Sequence, residues 1–151
     1  VMKSISKSYG VPGLRLGIFA SSNKSLIARI KREVSIWNIN SFSEFYMQIF
    51  GKYEKDYQRA CQLFREERTK FYEELQTVSY LRVIPSQANY FLCEVTDKYT
   101  SAELTQKLIE NDVIISNCTL KRNMGNGKQL IRLAIRNRKD DAKLVEILKS
   151  L

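Results

Sequence analysis

Histidine is missing altogether from this 151-residue chain, which removes imidazole-based nucleophilic triads and most metal chemistry from its repertoire. Proline and cysteine are scarce, at two and three residues. Cys61, Cys93 and Cys118 form an odd, widely spaced set with no CxxC pair. They read as reduced cytosolic thiols, outside any zinc site or disulfide framework. No apolar run reaches the roughly 18 residues that cross a bilayer. The N-terminal VMKSISKSYG lacks the apolar stretch of a secretory signal. The expected setting is cytoplasmic, with no membrane partner.

Acidic residues are also short, 16 against 25 basic, for a net charge of +9. Such an excess can be the footprint of a nucleic-acid binder. Here the basic residues alternate with acidic ones, as in FREERTKFYEEL, and the densest cluster, IARIKREV, is half apolar. The charge reads as a solvated surface, and nucleic acid is not an expected partner. A non-catalytic basic binding module is the reading from a different class, and steep salt dependence of binding would mark it. The hydrophobic content of 44% is enough for a real core.

Along the chain, LGIFAS (16–21) reads as a strand entering a helix that carries Leu26, Ile27, Ile30 and Val34. WNINS interrupts that helix. Ser41 with Glu44 has the spacing of a capping box, followed by Phe45, Tyr46, Ile49 and Phe50 on one face. From Lys52 to about Thr77 there is neither Gly nor Pro, and apolar residues recur every three to four positions. One long helix is expected there. YLRVIP and NYFLCEV read as strands, Thr100 to Glu103 as a capping box opening a helix, and DVIIS as a strand. KRNMGNGK reads as a turn, QLIRLAI as a strand, and Asn137 as the cap of a last helix with Leu144, Val145, Leu148 and Leu151 inward. The second half is thus strand, strand, helix, strand, strand, helix: an α/β sandwich with helices on one face of its sheet.

The chemistry-bearing stretch is SISKSYGVPGLRLGI, residues 4–18. Ser4, Ser6 and Arg15 supply hydroxyls and a guanidinium, the groups suited to a phosphate dianion. Gly10 and Gly13 permit tight turns and close backbone approach. A lysine beside such a cradle, Lys7, can act as a counter-charge or as a nucleophile that forms an imine with an aldehyde. An aldehyde carried on a phosphate-bearing cofactor is the description of pyridoxal phosphate. The alternative is a solvated lysine and a surface arginine near a glycine-rich turn.

The array SISKSYGVPGLRLG resembles the Schiff-base lysine motif, S/T-x-S-K-x-x-G-x-x-G-x-R-x-G, of the fold-type I, class I/II pyridoxal-phosphate-dependent aminotransferases. It is most similar to the branch of histidinol-phosphate aminotransferase and threonine-phosphate decarboxylase. WNINS, PSQANYFL and QLIRLAIRN extend the resemblance, in order, along essentially the whole chain. It implies pyridoxal 5'-phosphate as cofactor, with Lys7 as the imine-forming lysine and proton shuttle. Arg15 would clamp the cofactor phosphate, with Ser4 and Ser6 in support. Arg132, in LIRLAI, would bind the substrate's α-carboxylate. An arginine inside an otherwise apolar strand needs an explanation in any case, and an edge strand with a wet face is the plain one. Asn89 matches an asparagine near the family's active site, and Trp37 to Asn40 a segment lining its entrance. Either could equally be a core or cap residue.

The resemblance further implies an enzyme that moves an amino group between an amino acid and a 2-oxo acid, with a homodimer as the usual assembly. An amino-acid decarboxylase of the same fold shares every residue visible here. Two departures stand out. The strand matching VIISN usually ends in an arginine that helps hold a substrate phosphate, and this chain has Asn117 there, with Lys121 or Arg122 as possible substitutes. A phosphate-ester substrate is thereby placed in doubt. In addition, the family's phosphate-gripping glycine turn, ring-stacking aromatic and pyridine-facing aspartate all precede the lysine. The chain is therefore expected to be the C-terminal part of a longer enzyme. Residues 1–35 would be a remnant of the large cofactor-binding domain, 36–77 connecting helices and 78–151 the small domain. Alone, it is expected to be inactive, to retain little cofactor and to self-associate through Ile18, Phe19, Trp37 and Phe42. The reading requires Lys7 to stand beside a pocket for an organic dianion, with Arg15 facing into it.

Overall fold

The first residues double back on themselves. Strand β1 (Met2–Ser4) pairs antiparallel with β2 (Gly17–Phe19), setting Met2 opposite Phe19 and Ser4 opposite Gly17. The intervening chain forms the single-turn helix α1 (Ile5–Ser8) and a 3-10 turn at Pro12–Leu14. Helix α2 (Lys24–Glu33) follows, capped by the Asn23 side chain, which accepts from the Leu26 amide at 2.9 Å. Next come α3 (Ser41–Phe50), a 3-10 turn at Gly51–Tyr53 and the 22-residue helix α4 (Glu54–Leu75). Thus the Lys52 end of the expected long helix is a tighter turn, and its far end stops short of Thr77.

In the computed structural model of the protein, which describes residues 1–121, 124 and 126–151, the chain forms two compact units, Val1–Cys61 and Gln62–Leu151. Arg122 and part of the 121–128 turn lie outside the described residues. The second unit is built on a four-stranded antiparallel sheet in the order β3 (Leu81–Ile84), β4 (Tyr90–Val95), β6 (Gln129–Ala134), β5 (Ser116–Asn117). Helices α5 (Ser101–Glu110) and α6 (Arg138–Ser150) join the end of α4 to cover one face.

The two-residue alternation of the strands explains that arrangement. Phe91, Cys93 and Val95 of β4 share a face with Ile131 and Leu133 of β6, and all are buried. Against them pack Phe71 and Leu75 of α4, Leu104 and Leu108 of α5, and Leu144, Val145 and Leu148 of α6. The Tyr80 hydroxyl reaches the Leu148 carbonyl at 2.5 Å, and burial pushes this phenol up to about 12. Arg138 forks onto Glu74 of α4 and holds its carboxyl below the usual carboxylate range. The Thr100–Glu103 box forms as read, the Thr100 hydroxyl accepting from the Glu103 amide and the Glu103 carboxylate from the Thr100 amide at 2.8 Å. Asn137 caps α6, accepting from the Asp140 amide at 3.0 Å.

Two local expectations are corrected. Helix α3 is capped by Asn40, whose side chain accepts from the Ser43 amide at 2.9 Å, and Ser41 is already its first helical residue. DVIIS does not run as a strand: Asp112 takes a left-handed φ of 60°, Ile114 is exposed, and pairing begins only at Ser116.

Candidate active site

In the first unit the β1–β2 ribbon ties both ends of the Ser4–Gly17 stretch. The Ile5 amide donates to the Leu16 carbonyl at 3.2 Å, closing the loop just inside the ribbon. Gly17 fits this closure closely, since a Cβ there would stand 3.3 Å from the Lys3 carbonyl oxygen, tighter than an ordinary contact. Gly10 has a φ of +66°, the left-handed turn that glycine adopts without a steric penalty and that follows α1. Gly13, by contrast, sits in the 3-10 turn with neither a positive φ nor a close neighbour among the described residues.

This closed loop gathers Ser4, Ser6 and Arg15 around one concavity of about 410 Å³, together with Lys3. Ser4 is the N-cap of α1, yet its hydroxyl makes no capping bond and is left for another partner. Ser6 is buried. Arg15 takes a φ of 54°, unusual for a side-chain-bearing residue. Its neighbour is held firmly: the Leu14 carbonyl accepts from Asn40 Nδ2 at 2.9 Å and from Ser43 Oγ at 2.6 Å. Asn40 therefore caps α3 and clamps the loop carrying Arg15. The sequence reading placed Asn40 at an entrance and missed Ser43 and Lys3. The N-x-x-S spacing and the basic residue beside the serine pair were the signals available.

Lys7 is exposed on α1, one residue beyond Ser6, and does not itself line the concavity. Its carbonyl accepts from the Gly10 amide at 3.3 Å. Two hydroxyls, a guanidinium and an ammonium around one hollow suit a phosphate dianion. This donor set fits the phosphate end of pyridoxal phosphate, with Lys7 next in the chain as the available amine.

The remaining sequence-derived candidates belong to the second unit. Arg132 lies on β6, an interior strand between β4 and β5, so the edge-strand explanation fails. Its side chain is on the face opposite the helices, over the Tyr90 ring. Ser116 of β5 is its direct cross-strand partner, and both line a hollow of about 610 Å³. Asn117, one residue on, pairs with Ile131, and its Oδ1 accepts from the Thr119 amide at 3.0 Å. Ser116 is thus the polar neighbour of Arg132, which the sequence reading did not name. Asn89 is exposed, and its carbonyl accepts from the Ile135 amide at 3.0 Å. At the rim of the same hollow, Asp141 is almost fully buried and accepts from the Arg136 amide at 3.0 Å. Burial pushes its carboxyl up to about 6.

Residues 1–151 match the family Aminotransferase class I and II. The chain belongs to that family. Its members are pyridoxal-phosphate dependent, so pyridoxal phosphate is the cofactor of the fold that this chain shares. Over 153 residues the chain is 29% identical to the threonine-phosphate decarboxylase of Salmonella typhimurium, covering all of this chain and 40% of that protein. It is 29% identical to the CMP-5'-(3-aminopropyl)phosphonate synthase of Streptomyces rubellomurinus over 96% of this chain and 23% of that one. The crystal structure of histidinol-phosphate aminotransferase from Clostridium acetobutylicum superposes with a TM-score of 0.87 at 27% identity, covering 99% of this chain and 44% of that one. The chain thus spans less than half the length of these family relatives. No helix among the described residues is long and apolar enough to cross a membrane.

Proposed function

We propose that this chain carries the lysine and the acid-binding residues of an aminotransferase that moves an amino group between an amino acid and a 2-oxo acid. The observation that carries this reading is the convergence of Ser4, Ser6 and Arg15 on one hollow, one residue from Lys7, in a chain of this family. Bound pyridoxal phosphate supplies an electron sink for bonds to the substrate's α-carbon. Ser4, Ser6, Lys3 and Arg15 would hold its phosphate through charge-assisted hydrogen bonds. Lys7 Nζ would hold the aldehyde end of the cofactor and would take and return the proton at the substrate's α-carbon. Arg132 grips the α-carboxylate as a fork and so orients the substrate. The proposed assembly is a homodimer in the cytoplasm.

Decarboxylation is the second reading, favoured by the relative named threonine-phosphate decarboxylase. The test is to incubate the full-length protein with pyridoxal phosphate, a panel of amino acids and a 2-oxo acid. New amino acid formed from the 2-oxo acid supports transamination, and carbon dioxide with the matching amine supports decarboxylation. Wild-type turnover that survives in K7A overturns both.

A further inference from the structure

We infer that Tyr57, in the first turn of α4, is a positioning residue that sets where the Lys7 amine stands. The inference rests on the role proposed for Lys7 and extends it to a side chain fifty residues away in sequence.

Helix α1 is too short to hold its own geometry, since one turn makes few internal hydrogen bonds. Ile5 and Ser6 bury one side of it. The other end is held from outside. Tyr57 donates its hydroxyl to the Ser8 carbonyl at 3.0 Å. Its ring stacks on that of Tyr9, with centroids 4.6 Å apart and planes 24° from parallel. Phe50 closes the group, edge-on to Tyr9 at 5.0 Å and to Tyr57 at 5.8 Å. Residues 8 and 9, directly after Lys7, are thus fixed by one hydrogen bond and a three-ring cluster drawn from the end of α3 and the start of α4. The Cys61 side chain one turn along, together with burial, pushes the Tyr57 phenol up to about 12, so it stays a neutral donor at any working pH. Without this anchor the last residues of α1 keep their own amide bonds and the Phe50 contact but fray more readily, and Lys7 swings with them.

The test compares full-length wild type with Y57F, which keeps the ring and loses the hydroxyl, and Y57L, which loses both. Each is incubated with pyridoxal phosphate, reduced with borohydride and digested, and pyridoxyl groups are mapped by mass spectrometry. The rate at Lys7 is read relative to Lys24 in the same sample. An error in placement of about 1 Å is enough to slow such a reaction substantially, so Y57L is expected to lower the ratio about tenfold and Y57F about threefold. Simple destabilisation would instead raise labelling at both lysines. A wild-type ratio in Y57L overturns the inference. A second readout does not depend on the cofactor. Hydrogen exchange at the Tyr9 and Gly10 amides, which donate to Ile5 and Lys7 carbonyls, should speed up at least several-fold in Y57L. Unchanged exchange also overturns the inference. If wild type is not labelled preferentially at Lys7 but exchange responds, the function proposed for Lys7 fails and the anchoring by Tyr57 stands.

Discussion

The guanidinium carbon of Arg132 stands 5.3 Å from the centroid of the Tyr90 ring, on the face of the sheet opposite α5 and α6. An aromatic face attracts a cation at that distance and so helps hold the guanidinium in place. Replacing Tyr90 with leucine should therefore raise KM for the amino acid about fivefold with little change in kcat, the loss of about 1 kcal/mol. R132K, which keeps the charge but not the two-pronged geometry, should cost more, about 10- to 100-fold in kcat/KM. Steady-state kinetics on the full-length protein measure both, and R132K indistinguishable from wild type would remove Arg132 from the substrate site.

Asn40 and Ser43 share the Leu14 carbonyl next to Arg15. N40A removes both a helix cap and one of these donors, and should lower stability by about 1–2 kcal/mol in urea unfolding. S43A leaves the cap intact. It should weaken pyridoxal phosphate binding several-fold, by about 1 kcal/mol, with little loss of stability. Titration by fluorescence quenching separates the two effects.

Asp141 offers a pH-dependent prediction. Its carboxyl stands at about 6 in the fold, against 3.8 for the free side chain. The folded state therefore binds this proton more tightly than the unfolded chain does. The stabilisation is complete below about pH 4 and is lost as pH rises towards 6, a change of up to about 3 kcal/mol. Asparagine at this position keeps an acceptor for the Arg136 amide without the buried charge. D141N should gain on wild type between pH 4 and 6 and hold that advantage at pH 7, as read by urea midpoints across the range. A constant difference at all pH values would contradict this.

Trp37 is 90% exposed and Phe42 79%. Large apolar side chains so open to water favour association. The isolated 151-residue chain should elute above its monomer mass, and W37S/F42S should shift it toward monomer in light scattering. The wild-type chain running as a clean monomer would contradict the expectation.

Local signals were legible where they are self-contained. Thr100 and Glu103 satisfy each other's backbone, and Asn137 caps the Asp140 amide while its side chain donates to the Asp140 carboxylate, so spacing alone places both helix starts. The opening motif likewise keeps Ser4, Ser6 and Arg15 together because the ribbon that closes it is short. Distant contacts decided the misses. Ser41 and Glu44 have a valid cap spacing, but Asn40 takes the position, and its amide also reaches the Leu14 carbonyl, a partner invisible in sequence. The apolar run Val113 to Ile115 resembles a strand, yet the left-handed turn at Asp112 delays pairing. Whether Ser116 or Asn117 faces Arg132 depends on a one-residue register, and strand alternation cannot set register by itself.

The tight approach of Gly17 to Lys3 means that the chain between them is a ring of fixed circumference. Residues can be exchanged around that ring, but none can be added or removed without changing the spacing between its serines and its arginine. The donor geometry at this end of the molecule therefore tolerates point substitution better than any change in loop length.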